Sequence, residues 1–282
     1  MRADMHSHST ASDGTSSPAE VMRRATAAGL DAIALTDHDT VAGHRAAADA
    51  LPPGLTLVPG MELSCRLDGH SVHLLGYLFD PADADLAAEC ARIRESRLQR
   101  ARTMVDRLAE LGAPVTWAQV SELAGSGVVG RPHIARAMVE AGVISSPDEA
   151  FGPDWIGTGG RAHVARYALD PARAIGLVRA AGGVTVLAHP RAGARGWMTP
   201  DDVIADLAAA GLHGIEVWHP DQGQEQRAHL TALAGDLGLV ASGGSDDHGA
   251  LTGYRIGCET IAPEEYQRLL SQATGAGPVR VR

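Results

Sequence analysis

The sequence contains no lysine, so all 24 of its basic residues are arginine. That removes a phosphate-loop lysine and a Schiff-base lysine from the chemistry open to it. Aromatic residues are also scarce, 4% against a hydrophobic content of 45%. Ala, Val, Leu and Ile must therefore do most of the packing, which suits helices laid on parallel strands. The three cysteines, Cys65, Cys90 and Cys258, stand far apart with no CxxC spacing. Neither a disulfide framework nor a zinc ribbon is indicated, and the cytoplasm is the simplest address. "RADMHSH" stands where a signal peptide would carry its apolar core, and no run approaches transmembrane length. Positive charge is short too: 34 acidic residues outweigh 24 basic ones, for a formal net charge of -10. A protein that wraps duplex DNA, or binds an anionic membrane through bulk charge, is disfavoured, and an anionic substrate would need a local positive site.

At 282 residues the chain is long enough for one large α/β domain or a barrel with an insertion. Short apolar runs alternate with amphipathic helical patterns. "SPAEVMRRATAAG" has a Ser-Pro start and a Gly29 stop, and leads into the strand "GLDAIALTDHD"; "GLTLVPGMELSC" is a third strand. After "HSVHLLGYLFD" the rhythm changes to one long charged helix over 83–111, followed by shorter helical pieces. We expect an inserted helical cap over 84–160 and a barrel domain over 1–83 and 161–282. From 171 onward three helix-strand pairs return, ending in "VTVLAHP", "GIEVWHP" and "LVASGGSDDHG". Six or seven such units fit a closed β/α barrel better than an open sheet.

Chemistry-bearing residues gather at one kind of position. His6, His8, His38, Glu62, His189, Glu216, Asp246 and His248 all fall at C-terminal ends of expected strands. In a β/α barrel those ends converge on one face. His6 and His8 point the same way because strand side chains repeat every two residues. Neutral imidazole combined with carboxylate suits Zn, Mn or Fe better than Ca or Mg alone.

The motifs "DMHSHSTASDG", "LTDHDTVAG", "PGMELS", "HLLGY", "GRPHIA", "LAHP", "GIEVWHP" and "SGGSDDHG" run in order from residue 4 to 249. Together they resemble the PHP (polymerase and histidinol phosphatase) phosphoesterases. The resemblance is strongest to a bacterial branch that removes the 3'-phosphate of nucleoside 3',5'-bisphosphates and degrades short RNA from the 5' end. It implies a distorted seven-stranded TIM-like barrel and three divalent ions, Mn2+ first, with Fe2+ or Zn2+ as alternatives. The first would be held by His6, His8, Glu62 and Asp246, the second by Asp13, His38 and His248, and the third by Glu62, as a bridge, with His73 and His189. Three such ions bring six positive charges against three carboxylates, so an acidic protein would acquire a cationic pocket able to activate water and polarise a phosphoryl group. The same nine residues would then be the catalytic set.

Arg131 and His133 of "GRPHIA" are implied to hold the substrate phosphate, Arg being the natural planar clamp; read without the resemblance, they are a Pro-started helix with an exposed Arg. His219 follows a strand end and is a further substrate-contact candidate. Asp37 and Asp39 flank His38 and are read either as orienting it or as caps. The expected partners are a small phosphorylated nucleotide and short single-stranded RNA, not duplex DNA or a membrane, with the chain acting as a monomer. Three positions depart from the family pattern: Asp247, where an aromatic is usual; His163, in "RAH" where "PAY" is frequent; and Gln222, where a His is common. An extra carboxylate at the mouth is expected to alter substrate choice. Histidinol phosphate is the main rival substrate. An amidohydrolase would usually need the missing lysine, carboxylated, as a bridge, although Glu62 could replace it. A non-catalytic domain serving a polymerase would be expected to have lost ligands, and none is lost.

Overall fold

A computed structural model describes residues 1–125, 129–165, 167–193 and 197–281. Ser17 accepts the Glu20 N–H and Pro18 takes the first helical position, so the first helix starts where the sequence signals it, and Gly29 ends its turn at a φ of +69°. In chain order the described elements are β1 (Ala3–Asp4), α1 (Pro18–Ala27), β2 (Ala32–Leu35), α2 (His44–Asp49), β3 (Thr56–Leu67), β4 (His70–Tyr77) and α3 (Ala84–Glu110). There follow α4 (Trp117–Ala124), α5 (Arg131–Glu140), α6 (Pro171–Ala180), β5 (Val184–Leu187), α7 (Asp201–Ala209), β6 (Gly214–Trp218), α8 (Gln224–Asp236), β7 (Val240–Gly243), α9 (Pro263–Leu270) and β8 (Val279–Arg280).

Strands β1 to β7 pair in sequence order, and β8 pairs with the start of β3. The ring is nearly closed, because the Met5 N–H donates to Gly243 O and Ser7 bridges Asp247 in parallel. β1, β2 and the first part of β3 run parallel, as do β5, β6 and β7. β4 runs antiparallel to both neighbours. The barrel therefore departs from strict β/α alternation at one place, where β3 turns straight into β4 through Asp68 and Gly69 instead of a helix.

Contacts divide the chain into two compact units, Met1–Cys90 with Ala168–Arg282, and Ala91–Tyr167. The first has a core of small and branched residues, among them Met5, Ala34, Val58, Leu75, Val186 and Val240, with a second layer under α1 and α2 built on Met22, Ile33, Leu35 and Leu57. The second packs Met104, Leu108, Val120, Ile134, Met138 and Ile156 into a core of its own. Both cores are mostly aliphatic, as a chain so poor in aromatics requires, with Tyr77 and Tyr266 buried in the first. No helix among the described residues is long and apolar enough to cross a membrane.

Candidate metal centre

After β1 the chain stays extended, and its backbone fixes which side chains turn inward. The Thr36 N–H donates to Ser7 O and the His8 N–H to Asp247 O. Ser7 Oγ turns to β2 and donates to Ala34 O at 2.6 Å, so His6 and His8, both fully buried, face the other way. Asp13 rides on the loop that follows. There the buried Asp37 carboxylate accepts the Ser9 N–H and Ser9 hydroxyl at 2.7 Å each, and the Ser12 hydroxyl at 2.8 Å. Asp39 accepts the Ser64 N–H at 2.7 Å. Both carboxylates flanking His38 thus brace loop and strand backbone.

Glu62 lies where β3 leaves β2 to join β4; the Asp39 N–H donates to its carbonyl at 3.0 Å and His38 bridges it. His73 stands opposite Ser64 on β4. His189 and Asp246 follow β5 and β7 with φ values of +32° and +48°, in a region unusual for residues with a Cβ and often occupied at functional sites. Gly244 is required by close approach, since a Cβ there would sit 2.4 Å from the His6 Cβ.

All nine expected metal-binding residues belong to the first unit, and eight of them form three overlapping clusters whose ligand atoms lie within 4.8 Å of one another: His6, His8, Glu62 and Asp246; His8, Asp13, His38 and His248; His38, Glu62 and His73. Glu62 joins them. Its Oε2 is 3.2 Å from His6 Nε2, 3.1 Å from His8 Nε2 and 3.3 Å from His38 Nδ1, and its Oε1 is 2.7 Å from His73 Nδ1 and 3.2 Å from His189 Nε2, which brings in the ninth residue. Asp13 reaches His38 Nε2 at 3.6 Å and His248 Nε2 at 3.4 Å.

Two observations fit this pocket to cations. His8 Nδ1 and His38 Nδ1 are buried and make no hydrogen bond, and His6 Nε2 and His8 Nε2 face each other at 3.1 Å between two carboxylates. Such nitrogens need either protons or metal ions. Without metal the cluster would take protons. Burial opposes charge on His6 and His8, yet Asp246, Glu62 and their neighbours raise His6 well above its usual range and His8 to about 10. Burial pushes His38 well below its usual range, against the pull of Glu62 and Asp13. Glu62 and Asp246, although buried, and the partly exposed Asp13 are held well below the usual carboxylate range by the imidazoles around them.

Residues behind the pocket aim its ligands. Glu216, fully buried, takes His6 Nδ1 at 3.0 Å and the His189 N–H at 2.8 Å, which leaves His6 Nε2 facing the cluster. The sequence marked Glu216 as a strand-end residue; the structure places it in the middle of β6, where it braces His6 and His189. Arg255 carried no such signal, because it lies in an irregular loop. Its Nη2 donates to Asp246 O at 3.0 Å and lies 3.6 Å from Asp246 Oδ2. His219 is fully buried with Nε2 3.3 Å from Asp246 Oδ2.

Arg131 and His133 open α5 in the second unit. The Arg131 guanidinium stands 5.4 Å from the Phe151 ring centre, and His133 Nδ1 accepts the Gly130 N–H at 3.0 Å. Two of the departures from the family pattern, Asp247 and Gln222, have structural roles. Asp247 is fully buried, and its carboxylate accepts the N–H groups of Gly249 and Arg255 and the Thr252 hydroxyl, so it adds no carboxylate to the mouth. Gln222 is buried, donates to the carbonyls of Glu216 and Val217, and accepts the Arg191 N–H. His163 O accepts from Arg107 within the second unit.

Residues 4–77 match the PHP domain. Over 248 residues the chain is 37% identical to a 5'-3' exoribonuclease of Haemophilus influenzae, covering 87% of this chain and 89% of that one. Over 259 residues it is 35% identical to a 3',5'-nucleoside bisphosphate phosphatase of Chromobacterium violaceum, covering 89% of each. A Bifidobacterium adolescentis structure described as a metal-dependent phosphoesterase superposes with a TM-score of 0.85 at 32% identity over 96% of both chains.

Proposed function

The chain belongs to the PHP family of metal-dependent phosphoesterases, and from that membership we propose that it removes the 3'-phosphate of nucleoside 3',5'-bisphosphates and trims short RNA from the 5' end at the same site. Three divalent ions, Mn2+ first, would be held by His6, His8, Glu62 and Asp246; by Asp13, His38 and His248; and by Glu62, His73 and His189. The observation that carries this reading is Glu62, whose two oxygens reach five imidazoles from four parts of the barrel. Ions bound there would supply a water of lowered pKa, polarised phosphoryl oxygens and a counter-charge for the leaving oxygen.

The protein's own groups hold the geometry. Glu216 and the Asp37 loop fix where His6 and Asp13 point. The neighbouring hydroxyls are committed elsewhere: Ser9 and Ser12 donate to Asp37, and Ser245 to His6 O at 3.3 Å. This supports attack by water over attack by a side chain. Arg131 and His133 take the phosphate-binding part on the resemblance of their motif. A cytoplasmic monomer completes the reading; Cys65, Cys90 and Cys258 form no disulfide among the described residues, which supports the cytoplasmic address.

A product-resolved assay with Mn2+ tests it, comparing adenosine 3',5'-bisphosphate, histidinol phosphate and a 5'-phosphorylated dinucleotide. Release from the bisphosphate should be fastest, His8→Ala and Asp246→Asn should abolish it, and Arg131→Ala should raise KM. Faster release from histidinol phosphate would overturn the substrate assignment, and activity unchanged by the two ligand substitutions would overturn the site.

A further inference from the structure

We propose that His219 and Arg255 are positioning residues that reserve the outer oxygen of Asp246, so that this carboxylate presents a single oxygen to the bound ions; the inference rests on reading the cluster as a metal centre. The two oxygens of Asp246 live in different surroundings. Oδ1 faces the pocket, 3.3 Å from His6 Nε2, 3.3 Å from His8 Nε2 and 3.5 Å from His248 Nδ1. Oδ2 has other partners, 3.3 Å from His219 Nε2 and 3.6 Å from Arg255 Nη2.

The direction of the His219 bond is fixed by the ring's other nitrogen. The Asp221 N–H donates to His219 Nδ1 at 3.0 Å, so the proton of the neutral ring sits on Nε2 and points at Asp246 Oδ2. The residue is held from behind as well, since Arg227 Nη2 donates to His219 O at 2.7 Å. With no exposed surface, His219 meets Asp246 and not solvent.

Arg255 reaches the same oxygen from another direction and is equally constrained. Its Nη2 donates to Asp246 O, its Nη1 is 3.6 Å from Asp221 Oδ1, and its backbone N–H is taken at 2.7 Å by the buried Asp247 carboxylate. Asp247 also accepts the Gly249 N–H at 3.0 Å and the Thr252 hydroxyl at 3.1 Å, so one carboxylate shapes the whole loop that delivers Arg255. One charge-assisted hydrogen bond from His219 and the ion pair with Arg255 would both have to be given up for Asp246 to chelate through both oxygens. The left-handed backbone at Asp246, φ +48°, gives the side chain a direction that these partners over-determine.

The test uses Co2+ alone, titrated into metal-free wild-type protein and into His219→Leu, His219→Gln and Arg255→Gln. Affinity is read by calorimetry and coordination by the visible absorption of the bound ion, with the thermal melt of each metal-free variant as the control for folding. His219→Leu should weaken the tightest Co2+ binding by about 10–100-fold, the usual scale for losing a group that orients a ligand. It should also lower the absorptivity, as freed Oδ2 adds to the coordination shell. His219→Gln, whose amide N–H replaces Nε2–H, should recover both. Arg255→Gln should shift both in the same direction as Leu at 219, and this keeps the inference open to refutation if the Leu variant does not fold. Folded variants with wild-type affinity and spectrum would overturn the inference and leave the metal centre standing; a wild-type protein that binds no Co2+ would overturn both.

Discussion

His6 and His8 are one residue apart in sequence, and their Nε2 atoms are 3.1 Å apart in space, each also within 3.3 Å of Glu62 and Asp246. In the metal-free protein His8 keeps its proton up to about 10 because Asp246 and Glu62 outweigh the cost of its burial. A folded-state value raised above the ordinary 6.5 stabilises the metal-free fold fully below about 6.5, and that contribution is lost as pH rises through about 10. An ion must displace that proton, so metal affinity should rise with pH across the same window, by up to about tenfold per pH unit for each proton released. Calorimetry of Mn2+ binding at pH 7.5 in two buffers of different ionisation heat should show net proton release; identical heats would contradict it. At this scale alternation and strand ends marked His6, His8 and Asp246 in the sequence; Glu62 was marked as a strand end too, although the structure places it within β3. The sequence was silent on Arg255, whose place depends on a loop shaped by Asp247, and it misplaced the Asp247 carboxylate at the mouth, because no local pattern tells a buried loop acceptor from an exposed one.

Among the elements, α1 and the long α3 were legible because capping residues and a sustained 3.6-residue rhythm are local signals. The β3–β4 hairpin was not. β3 is 12 residues long and changes partners midway, parallel to β2 through Pro59 and antiparallel to β4 from Gly60. Glu62 and His73 therefore lie within strands, and His73 came from family resemblance instead of the strand-end rule. The loop from His248 to Arg255 gives a direct prediction. Asp247→Phe, which places an aromatic where the family resemblance leads one to expect it, removes three bonds to that loop. Amide hydrogen exchange at Gly249 and Arg255 should then quicken by at least tenfold, a loss of about 1.4 kcal/mol or more in local protection. Unchanged protection would show that the loop is held by something other than this carboxylate.

For the molecule as a whole, the contrast is between a chain of net charge -10 and a substrate that is itself an anion. The sequence has no lysine to resolve it. The cations must be brought to the open end of a nearly closed barrel, where four histidine-bearing segments meet one buried glutamate. The barrel was legible from alternating runs because each strand needs an apolar stretch long enough to be buried. The reversal of β4 was not, since a hairpin and a crossover bury similar residues. The most direct measurement is anomalous scattering at the manganese edge from crystals soaked in Mn2+. The account predicts three peaks in this pocket, with Glu62 touching more than one of them. Ions bound elsewhere, or none within reach of Glu62, would contradict it.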